Sequence, residues 1–132
     1  MKQILMMLML LCTPLMAQFT GTFYDSQGVE QNRLTGDATY DAHMDLPANF
    51  DSAISASVVF MTFDGNGDIV SRTILQSWTT PSPNNDSQVV GFNIPAFTMP
   101  PDGYATVTVT WVYYETGTPV TVATTSSTRS VL

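Results

Sequence analysis

The stretch "YATVTVTWVYY", Tyr104 to Tyr114, constrains the fold more than any other part of the chain. Ala105, Val107, Val109, Trp111 and Tyr113 fall at one parity, and Thr106, Thr108 and Thr110 fall at the other. A helix, with 3.6 residues per turn, would scatter these two sets around its axis. An extended chain sorts them at once onto opposite faces. The stretch is therefore predicted to be a strand with one packed and one wet face, and the packed face needs a second layer to cover it.

The same reading extends to most of the sequence. "AISASVVFMTF" places Ile54, Ala56, Val58 and Phe60 opposite Ser55 and Ser57, while Val59, Met61 and Phe63 make its far end apolar on both sides, as expected of a central strand or a covered edge. "DIVSRTILQSW", "QVVGFNIPAF" with Val90, Phe92 and Ile94 in phase, the closing "VTVATTSSTRSVL" and the opening "FTGTFYD" add further strands. "LTGDATYDAHMDLPANF" reads as a strand followed by an irregular loop ending at Pro47, with a single helical turn as the alternative. "TTPSPNND" and "ETGTP" break the pattern. No window carries a sustained apolar period of helical spacing. The expectation is all-β: an antiparallel sandwich of about seven strands.

The first residues read differently. In "MKQILMMLMLLCTPLMAQ" a single basic residue, Lys2, precedes an apolar run from Ile4 to Met16 interrupted only by Cys12, Thr13 and Pro14. The run is shorter than the roughly 20 residues a bilayer span needs, and it leads to a small residue, Ala17. The prediction is a bacterial-type signal peptide over residues 1–17 and a mature domain over 18–132, secreted, periplasmic or at the cell surface, with no membrane span. Leu11 before Cys12 argues against a lipidation site, so Cys12 belongs to the leader. The mature domain then has no cysteine, and a hydrophobic core rather than disulfides must hold it. Its 115 residues suit one domain.

Charge narrows the partners. Loss of Lys2 leaves three arginines, Arg33, Arg72 and Arg129, against eleven acidic residues, with no lysine. A chain of that sign repels phosphate backbones and anionic lipid headgroups, which excludes nucleic acid and electrostatic adsorption to membranes. Proteins, glycans and cations remain.

"IPAFTMPPDGYATVTVTW", Ile94 to Trp111, resembles the stretch of immunoglobulin-like and fibronectin-type domains in which a Pro/Gly corner precedes a tyrosine and a long alternating strand. The resemblance implies an immunoglobulin-like sandwich in which Tyr104 anchors the corner through its hydroxyl. It implies no activity, because such sandwiches host unrelated functions. The core cysteine pair of antibody domains is absent.

Three constellations are candidates for chemistry. "FDGNGDI" presents Asp64, Asn66 and Asp68 at alternate positions, as a calcium loop does. Aligning Gly67 with the glycine of an EF-hand puts Thr62 first and Thr73 twelfth, so both terminal carboxylates are missing. The β-prone flanks and the Asn66–Gly67 pair instead predict a hairpin tip with positive φ at both central positions, and at most a weak accessory calcium site. "DATYDAHMD" holds Asp41, His43 and Asp45, which share a face in an extended strand. They offer a cation a carboxylate, an imidazole and a second carboxylate, but at about 7 Å spacing, too wide to close on one ion without a bend. Trp78, at a strand end, and Tyr114, out of phase with the packed face, are the aromatic candidates for stacking on a sugar ring.

Nucleophilic catalysis has little to build on. Beyond residue 17 there is neither cysteine nor lysine, and His43 is the sole histidine. The expected function is a non-catalytic binding or structural module of the cell envelope or surface, without a cofactor, engaging a protein partner by strand addition at the polar last strand. A carbohydrate-binding sandwich and a metal-dependent enzyme are the alternatives. The first requires Trp78 and Tyr114 on one open face, and the second requires Asp41, His43 and Asp45 to converge with other acids.

Overall fold

The computed structural model describes residues 21–45, 50–79 and 88–132. The predicted leader over residues 1–17, Pro47, Asn85 in the glycosylation-type sequence "NDS" and most of "TTPSPNND" lie outside them. Eight strands follow in chain order: β1 (Thr22–Asp25), β2 (Arg33–Leu34), β3 (Ala38–His43), β4 (Phe50–Phe63), β5 (Ile69–Thr79), β6 (Val89–Ile94), β7 (Tyr104–Glu115) and β8 (Thr121–Val131). Among the described residues there is no helix. One sheet has the order β1-β3-β6 and the other β2-β8-β7-β4-β5. All pairings are antiparallel except β2 with β8, which is parallel through Arg33 opposite Ser130 and Leu34 opposite Val131.

The two sheets meet through the residues whose alternation predicts it. Ala105, Val107, Val109, Trp111 and Tyr113 of β7 are all buried, with Trp111 at 0% exposure. Opposite them stand Phe23, Tyr40, Ala42, Val90, Phe92 and Ile94 from the smaller sheet, with Phe23 edge-on to Phe92 at 6.1 Å. Burial of each aliphatic such as Val107 or Val109 contributes about 1.5–3 kcal/mol relative to exposure. Trp111 Nε1 finds no hydrogen-bond partner among the described residues, which offsets part of the gain from burying its ring.

Four expectations change. In β4 the core positions are Ala53, then Ala56, Val58, Phe60 and Thr62. A register shift between Ala53 and Ser55 moves Ile54 off the core face, because an extra residue on one strand reverses the parity beyond it. Tyr104 is not a corner anchor. At the outward parity of β7, its ring is half-exposed and stacks on Phe63 at 4.5 Å rather than turning into the core. The strand β8 buries more than its composition suggests: Thr125, Ser127 and Val131 all lie inside. The last difference is β2, a two-residue strand with no signature of its own, which places β8 one strand in from the end of its sheet.

Candidate functional site

The loop "FDGNGDI" is a hairpin tip joining β4 to β5. Asp64 N–H donates to Asp68 O at 2.9 Å and Gly67 N–H to Asp64 O at 3.0 Å. The carboxylate atom Oδ1 of Asp64 accepts from the N–H groups of Asn66 and Asp68. Gly67 alone has positive φ, at 84°. The Asn66–Gly67 pair therefore does not adopt two left-handed positions. The tip is a three-residue loop closed by a glycine bulge, and Asn66 sits inside the turn with ordinary φ.

The same turn occurs a second time. At "DSQGV", Asp25 N–H donates to Val29 O, Gly28 N–H to Asp25 O, and Oδ1 of Asp25 accepts from Gln27 and Val29 N–H, with Gly28 at φ 79°. In both copies the leading aspartate caps the turn's own backbone. Gln31 Nε2 adds a bond to the other oxygen of Asp25, and these contacts hold its carboxyl below the usual 3.8, the Val29 N–H contributing most. Repetition at a tip with no calcium-like spacing identifies "DxxG" here as turn chemistry.

On β3, Asp41 and His43 share the outer face of the smaller sheet. His43 meets the ring of Tyr24 edge-on at 4.7 Å, and Asp45, past the strand end, accepts from Thr22 Oγ1 at 3.2 Å. Among the described residues no three His, Cys, Asp or Glu side chains come together as a metal site.

Trp78 and Tyr114 fall on opposite faces of the five-stranded sheet. Trp78 pairs across β4 with Ala56, and Ala56 in turn with Trp111, so all three face inward. Trp78 packs half-buried against the core. Tyr114 follows buried Tyr113 and so points out, with 41% exposure. The two rings cannot form one platform, because a period of two separates what strand position alone leaves open.

The sheet edges differ in kind. β5 is the end of its sheet, but its register with β4 shifts between Val58 and Val59 and again between Thr62 and Phe63. These bulges fall at Leu75 and Val70 and break the edge into short pieces. β8 pairs with β7 in unbroken register from Glu115 opposite Thr121 to Ala105 opposite Val131. On its other side only Arg33 and Leu34 are paired to it among the described residues. Leu132 N–H donates to Leu34 O and Leu132 O accepts from Gly36 N–H, so even-numbered positions present their backbone groups to that edge. By alternation, those of Val122, Thr124, Ser126 and Thr128 do likewise.

One feature escaped the sequence reading. On the outer face of the large sheet the wet positions of β7 and β8 lie side by side, with Thr108 Oγ1 2.9 Å from Thr128 Oγ1 and Thr110 Oγ1 2.9 Å from Ser126 Oγ. Its signal was present as two threonine- and serine-rich parities, but only their register joins them.

No protein-family model matches the chain, and no curated protein matches it significantly. Among solved structures it is similar to the "C-terminal domain of wzt" at 10% identity, covering 85% of this chain and 70% of that one, with a TM-score of 0.32. A likeness of that size carries no argument about fold or function.

Proposed function

We propose that the chain is an exported, non-catalytic binding or structural module of the cell envelope or surface that engages a protein partner by strand addition along β8. The observation that carries this reading is the β8 edge: an unbroken register with β7 on one side and, from Thr121 to Arg129, no described strand on the other. An edge of this kind accepts another chain through backbone hydrogen bonds, with alternate side chains setting specificity. The apolar leader over residues 1–17 supports export. The acidic surface sets aside nucleic acid, and the turn-capping role of Asp64 supports the absence of a structural calcium ion.

The sandwich itself is read as immunoglobulin-like. The order β8-β7-β4-β5 matches the G-F-C-C′ order of variable-type domains, and β1-β3-β6 matches A-B-E. Against a strict match stand the outward Tyr104 and the placement of the buried tryptophan on β7.

Hydrogen exchange on the isolated mature protein tests the edge. Amides of Thr124, Ser126 and Thr128 should exchange much faster than those of Val107, Val109 and Trp111. Equal protection would make β8 an interior strand and end the proposal. Ser126→Pro, which removes an outward N–H without touching the β7 ladder, should abolish capture of the partner that co-purifies with the native protein while leaving the circular dichroism spectrum unchanged.

A further inference from the structure

On the outer face of the five-stranded sheet β7 and β8 carry a ladder of hydroxyl groups, Thr106, Thr108 and Thr110 standing beside Ser130, Thr128 and Ser126. Across it the registers align Thr128, Thr108, Val59 and Ile74 in one row, and Ser126, Thr110, Ser57 and Ser77 in the next. Neighbours are spaced about 4.8 Å between strands and about 7 Å along them. No described element covers this face. The paired hydroxyls at 2.9 Å each hold one another in place, so donors and acceptors are presented in fixed directions.

Its charge is unlike that of the rest of the molecule. The chain carries eleven acidic residues, yet in these rows, between the Phe63–Tyr104 pair and Tyr114, the only charged side chain is Arg72. Described acids lie instead at turns, strand ends and the smaller sheet, as with Asp25, Asp41, Asp64 and Asp102. Aromatic rings bound the array. Tyr104, 49% exposed, is stacked on Phe63 with the planes 15° apart. Exposed Tyr114 stands at the other end of β7, about 34 Å away at ~3.4 Å per residue.

We propose that this face binds a neutral polysaccharide laid along the β7–β8 ladder, from Tyr104 to Tyr114. Each hydroxyl pair can both donate to and accept from a sugar hydroxyl, and the lack of charge matches a polymer that has none. Tyr104 and Tyr114 supply apolar ring faces for pyranose rings at the ends. A polyanion would meet an acidic protein with one arginine on this face to receive it. The surface is separate from the β8 backbone edge, and the two readings stand or fall independently.

The test is retention of the mature protein on microcrystalline cellulose, insoluble β-1,3-glucan and mannan-agarose, with alginate as the charged control. Retention on at least one neutral polymer and not on alginate is expected. The double variant Thr108→Val and Thr110→Val keeps the β-branched shape and should weaken retention by at least about tenfold, the size of two lost hydrogen bonds. Tyr114→Ala should weaken it as well. Circular dichroism and the emission of buried Trp111 verify that the variants fold. Retention by none of the three neutral polymers, equal retention on alginate, or undiminished retention of the double variant would overturn the proposal. Inhibition of ice growth that disappears in the double variant, without polymer binding, would assign the lattice to ice and overturn it too.

Discussion

The backbone N–H of Val29 donates to Oδ1 of Asp25 at 3.0 Å, and the same bond recurs between Asp68 and Asp64 at the other hairpin-like tip. In each case a carboxylate whose position suggests a ligand is engaged by the turn it begins. That relationship gives the first prediction its sign. The carboxyl of Asp25 is lowered in the folded chain, so its contribution to stability is present above the unfolded value near 3.8 and is lost as pH falls through the lower folded value. Asp25→Asn should reduce stability at neutral pH and flatten this part of the acid limb. Thermal melts between pH 2 and 7 measure both.

At the alkaline end the sign reverses. Burial pushes the phenol of Tyr113 above 10.0, and the nearby Glu115 carboxylate adds to the shift. Stability should fall as pH rises from the unfolded phenol value through the higher folded one. In an absorbance titration near 295 nm, Tyr113→Phe should remove a late-titrating component.

Calcium should leave the protein unchanged. Asp64 already accepts two backbone N–H groups, so a cation at "FDGNGDI" would compete with the turn. Calorimetry is expected to show no tight site, and a micromolar site lost in Asp64→Ala and Asp68→Ala would contradict this. Gly67→Ala, by contrast, forces a side chain into positive φ and should cost about 1 kcal/mol or more in urea unfolding.

Arg129 ties the start of the first strand to the last. Its Nη2 donates to Gly21 O at 2.8 Å and its guanidinium lies 4.8 Å from the centroid of Phe23, while the Gly21 N–H donates to Ser127 Oγ. Arg129→Met should lose both the charged hydrogen bond and the ring contact, about 1–3 kcal/mol together. Lysine should restore only part, because it lacks the planar fork. Denaturant midpoints of the three proteins rank them.

Trp111 provides a packing test. Trp111→Ala should cost about 3–5 kcal/mol by cavity formation. Trp111→Phe should cost clearly less, since it removes the unpaired indole N–H along with part of the ring. Chemical denaturation with matched slopes distinguishes the two.

Much of this architecture is legible from short-range pattern. Alternation through β7 assigns Val107, Val109 and Trp111 to the core, and the same parity argument holds for Val90, Phe92 and Ile94 in β6, because side-chain direction in a strand depends only on position along it. The turn glycines are equally local. Where the pattern misleads, a partner strand is responsible. The shift beside Ile54 reverses parity in response to β7, and the buried Thr125 and Ser127 are polar residues taken inside by the sheet opposite. Register likewise decides that Trp78 faces in while Tyr114 faces out, that two residues of β2 close the end of β8, and that two separate threonine runs become one hydroxyl surface. Period and turn chemistry are written within a few residues, whereas register is set by hydrogen bonds between segments far apart in the chain. The sequence therefore determined most of the strand segments, β2 excepted, and the apolar parity wherever no bulge intervenes. Only the tertiary structure decided which strands become neighbours and which side chains meet on a face.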